Sequence, residues 1–263
     1  MPPLRRDELE PRLYVCIFSP FTCSLFMYLF YNPELQPSEE PQRGFLSEEE
    51  SQHCVRVLRY TAGDRLLITN GKGYTFNARV VNPHPRHCEF EIISSALQQK
   101  SHDFFMHLAV APTKNIERME WLVEKATEIG VDRITPLLCR FSERRQIRTD
   151  RLEKIILSAA KQSLTPYLPV LDPLTDVGQL IAQATEQTRF IAHCYETDKR
   201  QLKDNIVRGA SCLVLIGPEG DFSQQEVEHA LSNGFLPVSL GNSRLRTETA
   251  GIVACHTAVL VNS

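Results

Sequence analysis

Two short apolar runs near the carboxyl end, Leu213–Ile216 and Leu236–Leu240, each stop at a glycine, Gly217 and Gly241. Runs of this length that break off into glycine and polar residues are how buried parallel strands end at the edge of an open sheet. Between them Ser223 and Glu226 stand at capping-box spacing, and Phe222 and Val227 are placed as the hydrophobic staple. This predicts a helix from Ser223 to near Asn233-Gly234. The result is a strand-loop-helix-strand-loop-helix unit with both loops on one edge, where ligands of such sheets bind.

The first loop reads Gly217-Pro218-Glu219-Gly220-Asp221-Phe222-Ser223, and the second runs from Ser239-Leu240-Gly241-Asn242-Ser243 through Arg244-Leu245-Arg246-Thr247-Glu248-Thr249-Ala250-Gly251. Gly217, Gly220 and Gly241 allow positive φ and close approach of a ligand to bare backbone, while Pro218 stiffens the first loop. A phosphate ligand is disfavoured. Neither GxxxxGK[ST] nor GxGxxG occurs, and Glu219 and Asp221 would repel an anion. A neutral or cationic ligand fits the set better.

GPEGDFS followed by SLGNSRLRTETAG resembles the two ligand loops of the RsmE-like family, SPOUT-superfamily enzymes that methylate N3 of a uridine in small-subunit ribosomal RNA. The resemblance runs from about Met27 to the end and includes His53-Cys54-Val55-Arg56-Val57-Leu58-Arg59 and Glu124-Lys125-Ala126-Thr127-Glu128-Ile129-Gly130-Val131. It implies an α/β fold, a SPOUT-type parallel sheet with a C-terminal trefoil knot, preceded by a small β-rich PUA-like barrel domain. It implies S-adenosyl-L-methionine as cofactor, 16S ribosomal RNA as partner within the small subunit, a cytoplasmic homodimer, and neither membrane nor metal. The cofactor would be held by Leu215, Ile216, Gly217, Pro218, Glu219 and Gly220 from the first loop and by Leu240, Gly241, Leu245 and Thr247 from the second.

At 263 residues the chain is long enough for two ordinary domains, and 42% hydrophobic with 23% charged residues is a globular composition. A formal charge of −3 does not advertise a nucleic-acid binder, so RNA contact requires a local basic patch. The eight cysteines show no CxxC pair and no zinc-ligand spacing, and are read as reduced, mostly buried thiols. Leu13–Tyr31 is uncharged and mostly apolar behind Arg5-Arg6, which raises an anchor or signal segment. The acidic flank Asp7, Glu8 and Glu10 opposes that reading, and residues 1–26 are expected to be a dispensable extension.

Residues 27–97 read as the β-rich domain. Ser47 and Glu50 predict a second capping box opening a short helix through His53, Val57 and Leu58. Arg65–Thr69 and Tyr74–Val81 flank Asn70-Gly71-Lys72-Gly73, a hairpin signal. Arg56 and Arg59 are the candidate RNA contacts here, with Arg65, Lys72 and Arg79 adding positive charge and Tyr74 able to stack on a base. The plain alternative is a solvated barrel surface.

After a polar hinge, 98–103, alternation of strands and helices over 104–263 predicts a parallel sheet. Strands are expected at Phe104–Ala111, Arg133–Cys139 and Arg189–Tyr195, and helices at Ile116–Ile129, Asp150–Leu164 and around Val177–Glu186. Between Arg140 and Arg151 lie five arginines, of which Arg140, Arg144, Arg145 and Arg148 are the candidate phosphate contacts. The last helix, about Thr249–Val261, carries small residues at helical spacing, Ala250, Ala254 and Ala258, that allow close packing. The resemblance threads this helix through a loop near a dimer interface.

For methyl transfer to uridine N3, a cation could stabilise charge growing on O2 or O4 and a carboxylate could take the N3 proton. Arg246 is the candidate cation and Glu248 the candidate base or orienter, with Glu219 and Asp221 behind them; loop salt bridges and a first-turn acid favoured by the helix dipole are the plain alternatives. Gln162 matches a family glutamine, but an arginine common shortly after it is absent. The rival function is a non-catalytic RNA-binding or ribosome-associated module with a vestigial pocket.

Overall fold

The computed structural model describes residues 28–38, 42–100, 102–196 and 198–263. The expectation about residues 1–26, together with Cys16 and Cys23, lies outside them.

The amino-terminal part is a five-stranded sheet in the order β1 (Leu29–Tyr31), β3 (Arg65–Thr69), β4 (Tyr74–Asn82), β5 (Glu89–Leu97), β2 (Arg43–Phe45). Phe30, Leu66, Ile68, Phe76, Ala78, Val80, Cys88 and Phe90 fill its core, so the alternation of apolar and polar residues in the sequence is realised as one buried face. The β3–β4 hairpin turns at Asn70–Gly73, where Asn70 Oδ1 accepts from Lys72 N at 2.9 Å. The link from Asn32 to Arg43 hands over to a strand that the sequence pattern did not reveal, β2, paired antiparallel with β5.

Ser47 caps α1 (Glu48–Gln52) by accepting from Glu50 N, but the reciprocal half of the predicted capping box is not made. Glu50 instead binds Lys161 Nζ at 2.6 Å from the other part of the chain. The expected helix continues as a π-helical turn, His53–Val57. The Glu50–Lys161 pair is one of several contacts joining the two parts: Gly73 N donates to Pro166 O at 2.9 Å and Leu168 N to Gly71 O at 2.9 Å. Gly73 has φ +94°, and a Cβ there would lie 2.2 Å from the Tyr167 ring, so only glycine fits.

The second sheet is parallel throughout, in the order β11 (Arg200–Gln201), β13 (Leu236–Ser239), β10 (Thr188–Ala192), β12 (Cys212–Ile216), β6 (Met106–Val110), β7 (Arg133–Leu138), β8 (Val170–Leu171), with β9 (Thr175–Asp176) also on β7. The central strands β6 and β12 are buried on both faces. Each large aliphatic side chain there contributes about 1.5–3 kcal/mol on burial. One face is covered by α2 (Ile116–Ile129), α3 (Thr149–Gln162) and α6 (Thr247–Asn262), the other by α4 (Val177–Gln183) and α5 (Gln224–Ser232). α2 has the bounds its apolar stripe predicts, capped by Asn115 and ended by Gly130 at φ +105°.

Two boundaries differ from expectation in ways that matter. Strand β10 stops at Ala192, so His193, Cys194 and Tyr195 belong to a loop on the ligand edge. Helix α6 begins at Thr247, two residues early, which makes Arg246 its N-cap and sets Glu248 in its first turn. From β13, on the far side of β10, the chain returns to lay α6 against α2, β6 and β12. The close approach rests on Gly251, where a Cβ would meet Leu122 Cδ1 at 2.6 Å. No helix among the described residues is long and apolar enough to cross a membrane.

Candidate functional site

β6 and β12 are neighbours whose connections leave in opposite directions, β6 through α2 on one face and β12 through α5 on the other. Such a switch point opens a crevice beyond the strand C-termini. The loops after β6, β7, β10, β12 and β13 meet there, and hydrogen bonds lace them together.

In the first ligand loop Gly217 and Pro218 are buried and Glu219 and Gly220 exposed. Asp221 N donates to Pro218 O at 2.9 Å, and Asp221 itself takes φ +65°, a left-handed conformation that aspartate tolerates better than most residues. Its two carboxylate oxygens accept from Phe222 N at 2.8 Å and Cys194 N at 2.7 Å. Asp221 therefore pins this loop to the one after β10, with both of its carboxylate oxygens engaged. Tyr195 Oη adds a second tie, donating to Phe222 O at 2.8 Å. Glu219 accepts from Lys114 N at 3.0 Å, joining the β12 loop to the β6 loop across the crevice. The predicted capping box of α5 is complete: Ser223 Oγ accepts from Glu226 N, and Glu226 Oε2 accepts from Ser223 N at 2.7 Å.

The second ligand loop joins the first through Thr247, whose Oγ1 donates to Gly217 O at 3.2 Å. Leu240 and Leu245 are half-buried, and Gly241, at φ +132°, has open space where a Cβ would stand. Leu215 and Ile216 lie buried at the end of β12. Arg246 is exposed and its guanidinium makes no salt bridge among the described residues. Glu248 is only 7% exposed, with Oε1 3.8 Å from Arg118 Nε of α2. A free cation and a shielded carboxylate thus stand two residues apart at the start of one helix, beside the glycine loop.

The basic loop after β7 is less free than its arginine count suggests. Arg144 donates to the carbonyls of Thr113 at 3.1 Å and Lys114 at 2.8 Å, Arg148 pairs with Asp150 at 2.7 Å, and Arg151 pairs with Glu120 at 2.6 Å. Arg140 and Arg145 are exposed with no salt bridge among the described residues. In the amino-terminal part Arg56, on the π-helical turn, and Arg59, in the loop that follows it, are exposed, and Arg59 has φ +58°. Lys125, on the outer side of α2, is held by Glu124 and Glu128.

Two features escaped the sequence. Arg118 faces Glu248, a pairing that joins α2 to α6 and has no local signature. His193 is 7% exposed and both ring nitrogens are buried without a hydrogen-bond partner. Burial, and then the nearby Lys199 cation, hold its pKa below the usual imidazole range, so it is neutral at physiological pH. At the opposite, N-terminal edge of the sheet, His107 binds Glu186 at 2.6 Å and Thr135 at 2.7 Å, and Thr135 reaches Asp172, which also takes Arg133. His107, itself buried, is the centre of this polar chain.

Similarity to known proteins follows the same division of the chain. A family described as RNA methyltransferase domain matches residues 100–259, and one described as RNA methyltransferase PUA domain matches residues 46–93. The crystal structure of a probable rRNA-methyltransferase from Porphyromonas gingivalis is 43% identical, with a TM-score of 0.83, over 89% of this chain and 98% of that one. A ribosomal RNA small subunit methyltransferase E from Neisseria gonorrhoeae, solved bound to S-adenosyl methionine, is 26% identical with a TM-score of 0.78 over 88% and 95%. The protein of the same name from Buchnera aphidicola (subsp. Acyrthosiphon pisum) is 29% identical over 217 residues, 80% of this chain and 85% of its own.

Proposed function

This chain belongs to the RNA methyltransferase family, and from that premise we propose that it methylates N3 of a uridine in 16S ribosomal RNA of the small subunit, using S-adenosylmethionine. The observation that carries the reading is the meeting of GPEGDFS and SLGNSRLRTETAG on one sheet edge, tied by Thr247 to Gly217. Residues 27–97 are the RNA-docking unit and 104–263 the catalytic one. The protein acts in the cytoplasm as a homodimer, with the outward side of α6, where His256 and Leu260 are exposed, at the interface.

The residues present suit the cofactor. Glu219 and Glu248 favour a cationic ligand over a phosphate, and the open space at Gly241 lets a bulky group lie against bare backbone. Backbone groups of Leu215, Ile216, Gly217, Pro218, Glu219 and Gly220 and of Leu240, Gly241 and Leu245 hold it, with Thr247 fixing the spacing between the loops. When bound, S-adenosylmethionine would supply an electrophilic methyl group, its sulfonium–methyl bond breaking to leave a neutral thioether.

The chain itself supplies position, charge and a proton acceptor. Arg140 and Arg145, with Arg56 and Arg59 on the docking unit, bind phosphates, while Arg144 and Arg148 act chiefly by shaping their loop. The target base leaves its stack to reach the crevice. Arg246 stabilises negative charge growing on a uracil carbonyl oxygen, and Glu248 accepts the N3 proton as the N3–methyl bond forms. Holding N3 in line with the methyl group lowers the barrier by up to about 7–11 kcal/mol. Isothermal titration with S-adenosylmethionine, followed by labelled-methyl transfer to small subunits lacking the modification, tests binding and reaction separately.

A further inference from the structure

The turn after β7 presents an aromatic ring that the reaction just described does not use. Ser142 N donates to Cys139 O at 3.1 Å, and Cys139 N donates to Ser142 Oγ at 3.0 Å, so Arg140 and Phe141 form the tip of a turn closed from both sides. Ser142 is buried, whereas Phe141 is 47% exposed, uncommon for phenylalanine in so polar a setting. The turn is fastened to the ligand edge: Arg140 N donates to Glu226 Oε1 at 2.7 Å, and a Cβ on Gly220 would meet Phe141 Cβ at 3.1 Å.

Beside the ring runs an open cleft of about 660 Å³, lined among others by Arg140, Phe141, Arg145, Gln225 and His229. That volume lies within the range of about 300–1,000 Å³ typical of small-ligand sites. Its two carboxylates are already engaged, Glu226 by Ser223 and the Arg140 amide and Asp176 by the amides that it caps at α4. Arg140 and Arg145 remain as cations without salt bridges among the described residues. A rigid aromatic face, two free cations and amide and imidazole groups in one cleft are what a single unpaired nucleotide requires: a surface to stack on, charge for its phosphate, and hydrogen bonds for its base edge.

We propose that Phe141 is a stacking platform for an unpaired RNA base flanking the target uridine, with Arg140 and Arg145 on that nucleotide's phosphates. The inference rests on the reading of this chain as acting on ribosomal RNA, and locates a second base subsite beside α5, which covers the opposite face of the sheet from α6.

The test exploits the chain's one tryptophan. In a Trp121→Phe background, Phe141→Trp places a unique fluorophore in the cleft, and it is titrated with protein-free 16S ribosomal RNA. The same RNA is used in filter binding with Phe141→Leu and Phe141→Tyr in the otherwise native chain, and cofactor affinity is measured for each. Stacking predicts quenching of the introduced indole and retained affinity for Phe141→Tyr. It predicts about 5- to 150-fold weaker RNA binding for Phe141→Leu, the factor equivalent to about 1–3 kcal/mol of base–aromatic stacking. S-adenosylmethionine binding stays unchanged in all. Absence of quenching, with Phe141→Leu binding RNA as well as the native chain, overturns the proposal. Methyl transfer by the native chain is followed in parallel; its failure would defeat the functional reading, while quenching and filter binding still decide the role of Phe141.

Discussion

The hydroxyl of Thr247 donates to the carbonyl of Gly217 at 3.2 Å, and this bond is the direct polar tie between the two ligand loops. Thr247→Val keeps the shape and removes the donor, leaving a buried carbonyl unpaired at a cost of about 1–3 kcal/mol. S-adenosylmethionine binding measured by titration calorimetry is expected to weaken by the corresponding factor, while Thr247→Ser retains it.

The proposed mechanism gives Arg246 and Glu248 separable roles. Arg246→Ala is expected to lower kcat by about 10²–10³, the scale of losing one group that stabilises developing negative charge, with cofactor affinity unchanged. Glu248→Gln is expected to lower kcat by about 10²–10⁴. Single-turnover assays check both, and a Glu248→Gln enzyme with an unaltered rate would remove the carboxylate from the proton path.

Much of this edge was legible in advance because its signals are local. Asn115 and Gly130 punctuate α2, and Ser223 with Glu226 opens α5, through bonds between residues a few positions apart. Ser47 and Glu50 carry the same pattern, yet Glu50 pairs with Lys161, 111 residues away, because an ion pair across the two parts outcompetes the reciprocal cap bond. The arginine-rich loop misleads for a related reason: a sequence counts cations but not the carbonyls and carboxylates that engage Arg144, Arg148 and Arg151. Arg118 beside Glu248 and Phe141 beside Gly220 are products of tertiary packing alone, without spacing to reveal them.

Gly251 sets the distance between α6 and α2. Adding one methyl in Gly251→Ala drives a Cβ to 2.6 Å from Leu122 Cδ1, and overpacking of this kind costs about 1–3 kcal/mol. A lower midpoint of urea unfolding with an unchanged slope is expected. Gly251→Ala combined with Leu122→Ala should recover part of the loss, since the second change vacates the space.

The polar chain at the opposite edge makes stability depend on acid. Burial pushes the Asp172 and Glu186 carboxyls up, but Arg133 and Thr135 on the first and His107 on the second outweigh it, and both end below their ordinary values. A depressed folded pKa gives stability that is present above the unfolded pKa, about 3.9 for Asp and 4.3 for Glu, and is lost as pH falls through the folded value. Glu186→Gln is expected to lower stability at neutral pH and to flatten the acid limb of a plot of unfolding free energy against pH. An unchanged limb would mean that the contact with His107 does not hold the Glu186 carboxyl below its ordinary value in solution.

The central claim is tested most directly by transferring labelled methyl from S-adenosylmethionine to small ribosomal subunits that lack the modification and analysing the digested nucleosides by mass spectrometry. The account predicts label in 3-methyluridine from 16S ribosomal RNA, lost in the Glu248→Gln enzyme although it still binds the cofactor. Label in another nucleoside, or none from an enzyme that binds the cofactor, would contradict it.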